Sequence, residues 1–317
     1  FVKSGLKDLS ISRKTFTWGI QVPDDSDHVI YVWLDALTNY LSALNYPNIQ
    51  DELFKKFWPA SIHLIGKDIL RFHAVYWPAF LLAAKIDLPK KVYGHGWILS
   101  GEEKMSKSKG NILDPLEIIK LYGLDPLRYY LIKEVSFGND GNISQERLED
   151  CINSDLANNY GNLCQRVTAF TIKNCDGIIP NDINFQQADL AILDKYKNQL
   201  NDIRSKVDQQ NINFYIDFII NSLFEANKYF NDQEPWKKKD DKLRLNTIVY
   251  TTLEIVRKIS FLLYPIIPES SLKALKIFNL TEKDIKLESI SNNEFLNKSA
   301  KINKIDILFN KIEKKND

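Results

Sequence analysis

The most constraining part of this sequence is the stretch Trp97-Ile98-Leu99-Ser100-Gly101-Glu102-Glu103-Lys104-Met105-Ser106-Lys107-Ser108-Lys109-Gly110-Asn111. Its two central lysines, Lys104 and Lys107, stand three residues apart among small hydroxylated residues. The apolar run from Val92 to Leu99 precedes it and Asp114-Pro115 follows it, which predicts a strand, a mobile loop and then a helix. Lysine is a compact charge on a flexible stem and suits phosphate oxygens, so the loop is a candidate polyphosphate site. The alternative is a solvated basic loop.

The composition is typical of a globular protein. The chain has 317 residues, a length sufficient for about two domains, and 44% of them are hydrophobic. The net charge of +1 excludes a global positive field that would recruit nucleic acid, so any RNA contact must come from a local patch. We expect neither a signal peptide nor a membrane-spanning segment, and no membrane partner.

Cysteine usage indicates a reducing compartment. Cys151, Cys164 and Cys175 are widely spaced and form no CxxC or Cys/His cluster. The pattern predicts neither a zinc site nor a disulfide framework, and it favours a cytoplasmic location. The chain starts at Phe1, and Met105 is its single methionine, so we expect the sequence to begin inside a larger protein.

The first third of the chain reads as α/β. The run Val29 to Ala36 predicts a buried strand ending at Asp35, followed by a helix. Ligands bind at the carboxyl ends of parallel strands, so Trp33 and Tyr40 are candidates for a small-molecule pocket. The alternative is that both are core aromatics.

Two further strands are predicted in this part of the chain. Ser61 to Gly66 predicts a strand, and a helix is expected from Ile69 to about Ala84. His73 lies on this helix, where the alternative to a ligand is a satisfied core histidine. Val92 to Leu99 predicts the third strand, so the pattern indicates part of a doubly wound parallel sheet.

From Asp114 onward the pattern is helical. Pro115 suits a first helical turn, residues 137–142 form a turn cluster, and Ser144 is expected to cap the next helix. Apolar residues then recur at helical spacing as far as Leu263, which predicts an antiparallel helix bundle. The predicted fold class is therefore α/β followed by all-α.

Several collinear strings resemble the methionyl-tRNA synthetase family of class I aminoacyl-tRNA synthetases, and the central loop resembles the KMSKS signature of that class. The strings are Tyr31-Val32-Trp33-Leu34-Asp35-Ala36, Gly66-Lys67-Asp68-Ile69, Trp77-Pro78-Ala79-Phe80-Leu81, His95-Gly96-Trp97, Lys104-Met105-Ser106-Lys107-Ser108 and Pro235-Trp236. The resemblance covers nearly the whole chain. It implies three regions: the second half of a Rossmann-type catalytic domain over residues 1–112, a connecting helical region over 113–141, and a helical anticodon-binding domain with a docking tail over 142–317.

The resemblance implies ATP-dependent activation of methionine and its transfer to methionine tRNA. The residues expected to enclose the methionine side chain are Trp33, Tyr40, His73 and Tyr76. Those expected on the ATP side are Gly66, Asp68, Ile98, Lys104, Ser106 and Lys107, and Mg²⁺ is expected with ATP. Lys104 and Lys107 are the expected catalytic residues, and Lys107 is expected to stabilise the pentavalent transition state.

The resemblance also implies that the bundle reads the anticodon. Trp236 is expected to stack on an unpaired base, and Asn162 and Arg166, four residues apart on one helical face, are expected to bind base edges. The alternatives are a buried anchor for Trp236 and a solvated polar face for the other two. The closing segment has Asn310 where the family usually has proline.

The second class I signature, HIGH, is not found in this sequence. The string His63-Leu64-Ile65-Gly66 differs from it in order and lies too late in the domain. We therefore expect the chain alone to activate methionine poorly and to need a separate amino-terminal half. The alternatives are a non-catalytic tRNA-binding fragment, and a class I synthetase for another amino acid.

Overall fold

The computed structural model describes residues 1–100, the backbone of residues 103–104, and residues 113–313. The side chain of Lys104, and Ser106 and Lys107 entirely, lie outside the described residues. The chain forms two compact units, Phe1–Trp97 and Ile98–Asp317. The division falls inside the run from Val92 to Leu99 that the sequence predicts as one strand.

The first unit begins with a small antiparallel sheet. Its strands are β1 (Ser12–Arg13), β2 (Gln21–Val22) and β3 (Asp25–Ile30), with β3 between the other two. Helix α1 (Val32–Ser42) follows β3 directly.

The prediction of a strand that ends at Asp35 is wrong for the second half of that run. β3 stops at Ile30, so Trp33 and Asp35 lie on the first turns of α1. The β-branched and aromatic residues of this run indicate a strand locally, but Leu37 and Leu41 are buried one helical turn apart in the core. Tertiary packing at helical spacing therefore decides the conformation.

A parallel βαβ unit completes the first unit. After helix α2 (Glu52–Phe57), strand β4 (His63–Gly66) pairs in parallel with β5 (Val92–His95). The crossover contains a 3-10 turn (Lys67–Ile69), a π-helical turn (Phe72–Tyr76) and helix α3 (Trp77–Ala83). The predicted strand and helix are thus confirmed in position, with an irregular turn between them.

Proline accounts for the π-helical turn. Pro78 has no N–H for the carbonyl of Ala74, and its ring crowds that carbonyl. π-Helical turns are frequent at functional sites because they redirect side chains. The core beneath this turn is built from five residues, which are Leu37, Leu41, Trp58, Trp77 and Leu81.

The second unit starts with a three-stranded sheet. Strand β6 (Ile98–Ser100) pairs antiparallel with β7 (Glu103–Lys104) and in parallel with β8 (Gly141–Asn142). Leu99 thus has Lys104 on one side and Asn142 on the other. The stretch over residues 97–111 therefore begins with two antiparallel strands. The last two residues of the turn cluster predicted over residues 137–142 form a strand.

Helices make up most of the second unit. They are α4 (Pro115–Tyr122), α5 (Leu124–Glu134), α6 (Gln145–Cys151), a π-helical segment (Ile152–Gly161), α7 (Asn162–Asn174), α8 (Gln187–Asp208), α9 (Ile212–Asp232), a 3-10 turn (Pro235–Lys237), α10 (Lys242–Leu263) and α11 (Pro268–Leu275). Pro115 starts α4 as predicted, and Ser144 caps α6 by accepting a hydrogen bond from the N–H of Arg147 at 3.2 Å. The predicted order, α/β followed by all-α, is confirmed.

Helix α10 is the centre of the bundle. Its residues from Arg244 to Leu263 are buried apart from Asn246. Within the described part of the chain, no helix is long and apolar enough to cross a membrane.

Candidate functional site

A tyrosine–histidine pair joins α1 to the π-helical turn in the first unit. Tyr40 Oη on α1 is 2.9 Å from Nε2 of His73 on the π-helical turn, and His73 Nδ1 is 3.1 Å from the carbonyl oxygen of Ile69. A carbonyl oxygen only accepts, so Nδ1 carries a proton, and the tyrosine hydroxyl supplies the proton of the bond to Nε2. Burial raises the pKa of Tyr40, so the hydroxyl keeps its proton as the donor.

Aromatic rings surround this pair. Trp33 stacks on Phe72 with ring centroids 3.9 Å apart and planes 9° from parallel, and its edge meets His73 at 6.2 Å. Tyr76 packs against Phe72 at 5.6 Å. The structure therefore places three of the residues predicted for the methionine pocket, Trp33, Tyr40 and His73, in one cluster, and the fourth, Tyr76, joins it through Phe72.

His63 is a fifth member of this cluster that the sequence did not reveal. It is 5% exposed, and its ring centroid lies 4.3 Å from that of Tyr40 and 6.1 Å from that of His73. Burial, and secondarily the electrostatic effect of the neighbouring His73 ring, lowers the pKa of His63. Its Nε2 has no hydrogen-bond partner among the described residues. The only available signal was its place at the start of a buried strand.

Charged and polar groups lie at the carboxyl ends of the parallel strands. Gly66 and His95 are paired at these ends of β4 and β5. A Cβ on Gly66 would lie 2.5 Å from Oδ1 of Asp68, so glycine lets this carboxylate approach the strand end. Lys67 Nζ is 4.7 Å from the ring centroid of Trp97. Ligands of open α/β sheets bind at such an edge.

The remaining residues predicted to bind ATP come after Trp97 in the sequence. Ile98 starts β6 and belongs to the second unit. Lys104 ends β7 as a backbone position only, while Ser106 and Lys107 lie beyond the described residues. Among the described residues, no group of three or more histidine, cysteine, aspartate or glutamate side chains is arranged to hold a metal ion.

The second unit carries the residues predicted to read the anticodon. Arg166 on α7 donates from Nη2 to Oδ1 of Asn231 on α9 at 2.6 Å. Asn162 is the first residue of α7, one turn before Arg166, and both side chains are half-buried. The face is therefore only partly solvated, and a side chain on α9 already orients the guanidinium.

Arg166 and Trp236 share one aromatic ring. The Arg166 guanidinium carbon is 5.4 Å from the ring centroid of Phe230, and Trp236 meets the same ring edge-on at 6.2 Å. Phe230 is buried, whereas Trp236 is 41% exposed. Trp236 is thus not a buried anchor, because much of its surface is exposed. Sequence reasoning missed Phe230 and Asn231, which contact Arg166 from a different helix, far along the chain.

Comparison with known families places the chain in a class. Residues 1–168 match the family model described as tRNA synthetases class I (M). The chain therefore belongs to the class I tRNA synthetases, in the methionine (M) family. Residues 179–317 match the model described as the anticodon binding domain of methionyl tRNA ligase.

Individual relatives agree with this placement. The chain is 51% identical over 278 residues to methionine–tRNA ligase of Brucella suis, covering 87% of this chain and 54% of that protein. It is 46% identical to the Mycobacterium leprae ligase, covering 92% of this chain and 55% of that protein. The chain thus spans about half the length of the curated relatives that it matches.

A solved structure has the same fold. Mycobacterium tuberculosis methionyl-tRNA synthetase in complex with methionyl-adenylate superposes with a TM-score of 0.91 at 43% identity. The match covers 97% of this chain and 61% of that structure's chain. The predicted α/β and helix-bundle fold of a class I synthetase is therefore confirmed.

Proposed function

We propose that this chain carries the methionine pocket, the phosphate loop and the anticodon-binding face of a methionine–tRNA ligase. The methionine carboxylate attacks the α-phosphorus of ATP, the bond to pyrophosphate breaks, and methionyl-adenylate forms. The acyl group then passes to the terminal adenosine of methionine tRNA, and AMP leaves. The observation that carries the proposal is the Tyr40–His73 hydrogen bond within the aromatic cluster of Trp33 and Tyr76.

Methionine suits this cluster chemically. Its thioether is apolar and polarisable, and a sulfur–aromatic contact contributes roughly 0.3–1.5 kcal/mol. The Tyr40–His73 pair makes one side of the pocket polar, and the polarisable thioether would interact with it more favourably than the hydrocarbon side chain of leucine. The stacked rings of Trp33 and Phe72 would cover the side chain from water.

ATP is the second proposed substrate of the activation step. We assign Lys104, Ser106 and Lys107 to its phosphates, and Gly66, Asp68 and Ile98 to the remainder of the nucleotide. Lys107 would stabilise the negative charge that develops on the pentavalent phosphorus. Mg²⁺ would enter on the phosphate oxygens, as is usual for this ion.

The anticodon of methionine tRNA would meet the Arg166–Trp236 face. The exposed indole of Trp236 would stack on one unpaired base, while Asn162 and Arg166 would bind base edges. We assign residues 1–112 to activation, 113–141 to the connection and 142–317 to anticodon binding. The free cysteines, of which Cys151 and Cys164 are buried, support a reducing, cytoplasmic location.

The test is amino-acid-dependent ATP–pyrophosphate exchange by this chain within a protein of its relatives' full length. Exchange with methionine, and at least a hundredfold less with leucine, isoleucine or valine, is the expected result. Exchange driven by another amino acid would identify a different class I synthetase. No exchange with any amino acid, together with retained tRNA binding, would identify a non-catalytic tRNA-binding protein.

A further inference from the structure

Trp236 is presented by a short connection between α9 and α10. Gln233 follows the last residue of α9, Glu234 has a left-handed backbone with φ of 46°, and Pro235 is buried. The 3-10 turn that follows is closed by hydrogen bonds from the N–H of Lys237 to the carbonyl of Glu234 at 2.9 Å, and from Lys238 to Pro235 at 3.1 Å. The indole therefore sits on a tightly hydrogen-bonded backbone.

A buried ion pair lies beneath this connection. Arg244 on the first turn of α10 is 7% exposed, and Asp189 on the first turn of α8 is fully buried. Nη1 of Arg244 is 2.6 Å from Oδ2 of Asp189, and Nη2 is 2.9 Å from Oδ1, so the pair is bidentate. The Tyr229 hydroxyl on α9 donates to the same carboxylate.

The arginine also holds the connection itself. Nη2 of Arg244 donates a second hydrogen bond, at 2.6 Å, to Oε1 of Gln233. Arg244 on α10 binds both carboxylate oxygens of Asp189 on α8. Its bond to Gln233 therefore links the connection to both of these helices. Gln233 lies three residues before Trp236, and Phe230, which contacts the indole, lies three residues before Gln233.

We propose that Gln233, held by Arg244, is a positioning residue that sets the angle at which Trp236 meets an unpaired anticodon base. The inference rests on the proposed function, since it takes Trp236 as the stacking platform. Stacking needs two flat faces in contact, so a platform fixed before binding loses less freedom when the base arrives. Gln233 itself does not touch the RNA.

The test compares two substitutions of Gln233 in the full chain. Gln233→Met keeps the length of the side chain but removes the acceptor oxygen, whereas Gln233→Glu keeps an acceptor for Arg244. The probe is the anticodon stem-loop of methionine tRNA, with its Kd measured by titration. We expect Gln233→Met to raise Kd about tenfold, and Gln233→Glu to stay within about twofold of the parent chain. Gln209→Met, the same change at the end of α8, is the matched control and should leave Kd unchanged.

A double-mutant cycle separates positioning from general destabilisation. We expect Gln233→Met to add nothing to the loss caused by Trp236→Ala, because the network acts through that indole. Additive losses, or an unchanged Kd for Gln233→Met, would overturn the inference while leaving the anticodon role of Trp236 in place. An unchanged Kd for Trp236→Ala would overturn that role and the inference with it.

Discussion

The Tyr40 hydroxyl lies 2.9 Å from Nε2 of His73, so a hydrogen bond joins helix α1 to the π-helical turn after β4. The bond fixes which ring nitrogen of His73 carries the proton, because the other nitrogen faces the Ile69 carbonyl. A methionine pocket built here therefore has a defined polar point in an otherwise aromatic wall.

Removing this hydroxyl should weaken methionine recognition. Tyr40→Phe leaves the Nε2 acceptor of buried His73 without its donor, which costs about 1–3 kcal/mol. We expect KM for methionine in pyrophosphate exchange to rise roughly tenfold, with a smaller change in kcat. Tyr46→Phe, which removes a hydroxyl from another ring of the same core cluster, is the control. An unchanged KM would show that the pair serves packing alone.

The indole of Trp236 should contribute one base stack. Trp236→Ala is expected to weaken binding of the methionine anticodon stem-loop by about 1–3 kcal/mol. Trp18→Ala is a suitable control, because Trp18 is an 89% exposed tryptophan of the first unit. If both variants bind as the parent chain does, the exposed face of Trp236 has another use.

The central lysine loop should act on the chemical step. Lys107→Ala is expected to slow methionyl-adenylate formation by at least a hundredfold, since one charge that stabilises the transition state is lost. Lys109→Ala, two residues further along, should have a much smaller effect. Rapid-quench measurement of adenylate formation, with circular dichroism to confirm folding, makes the comparison. Equal rates for the parent chain and Lys107→Ala would remove Lys107 from the mechanism.

A buried lysine should make the helical unit more stable at alkaline pH. Burial, and next the charge of Arg257, lowers the pKa of Lys258 to about 7. An unfolded lysine keeps its proton up to about pH 10.4, so the unfolded state binds more protons between these values. The free energy of unfolding should therefore rise with pH across this window, by at most about 1.4 kcal/mol per pH unit.

The variant that tests this behaviour is Lys258→Met. The Lys258 amine donates to the Ile290 carbonyl and to Oδ1 of Asn293, each at 2.7 Å, and the variant should lose both bonds together with the dependence of stability on pH. In urea unfolding, the free energy of unfolding of the parent chain, relative to that of the variant, should rise from pH 7 to pH 9.5. A constant difference would mean that Lys258 keeps its charge in the fold.

The sequence predicted the parts of the fold that local chemistry determines. Pro115 and Ser144 start helices because proline and serine suit those positions whatever surrounds them. It failed at Trp33, where β-branched neighbours indicate a strand but the burial of Leu37 and Leu41 imposes a helix.

The candidate site shows a similar limit. The motif positions named Tyr40 and His73, but not their hydrogen bond, which joins residues 33 apart. Arg166 was predicted, whereas Asn231, which orients it, is 65 residues away and carries no local signal. Partners of this kind are set by how elements pack, and a single sequence does not record that packing.

The sheet formed by β6, β7 and β8 has one more consequence. β6 and β7 form the base of the lysine loop, and the β6–β8 ladder attaches that base to the chain entering α6. Strands β6 and β7 belong to the same compact unit as Arg166 and Trp236. The base of the loop and the face proposed to bind the anticodon are thus parts of one unit, and a substitution that breaks the β6–β8 ladder is expected to detach the base of the loop from that unit.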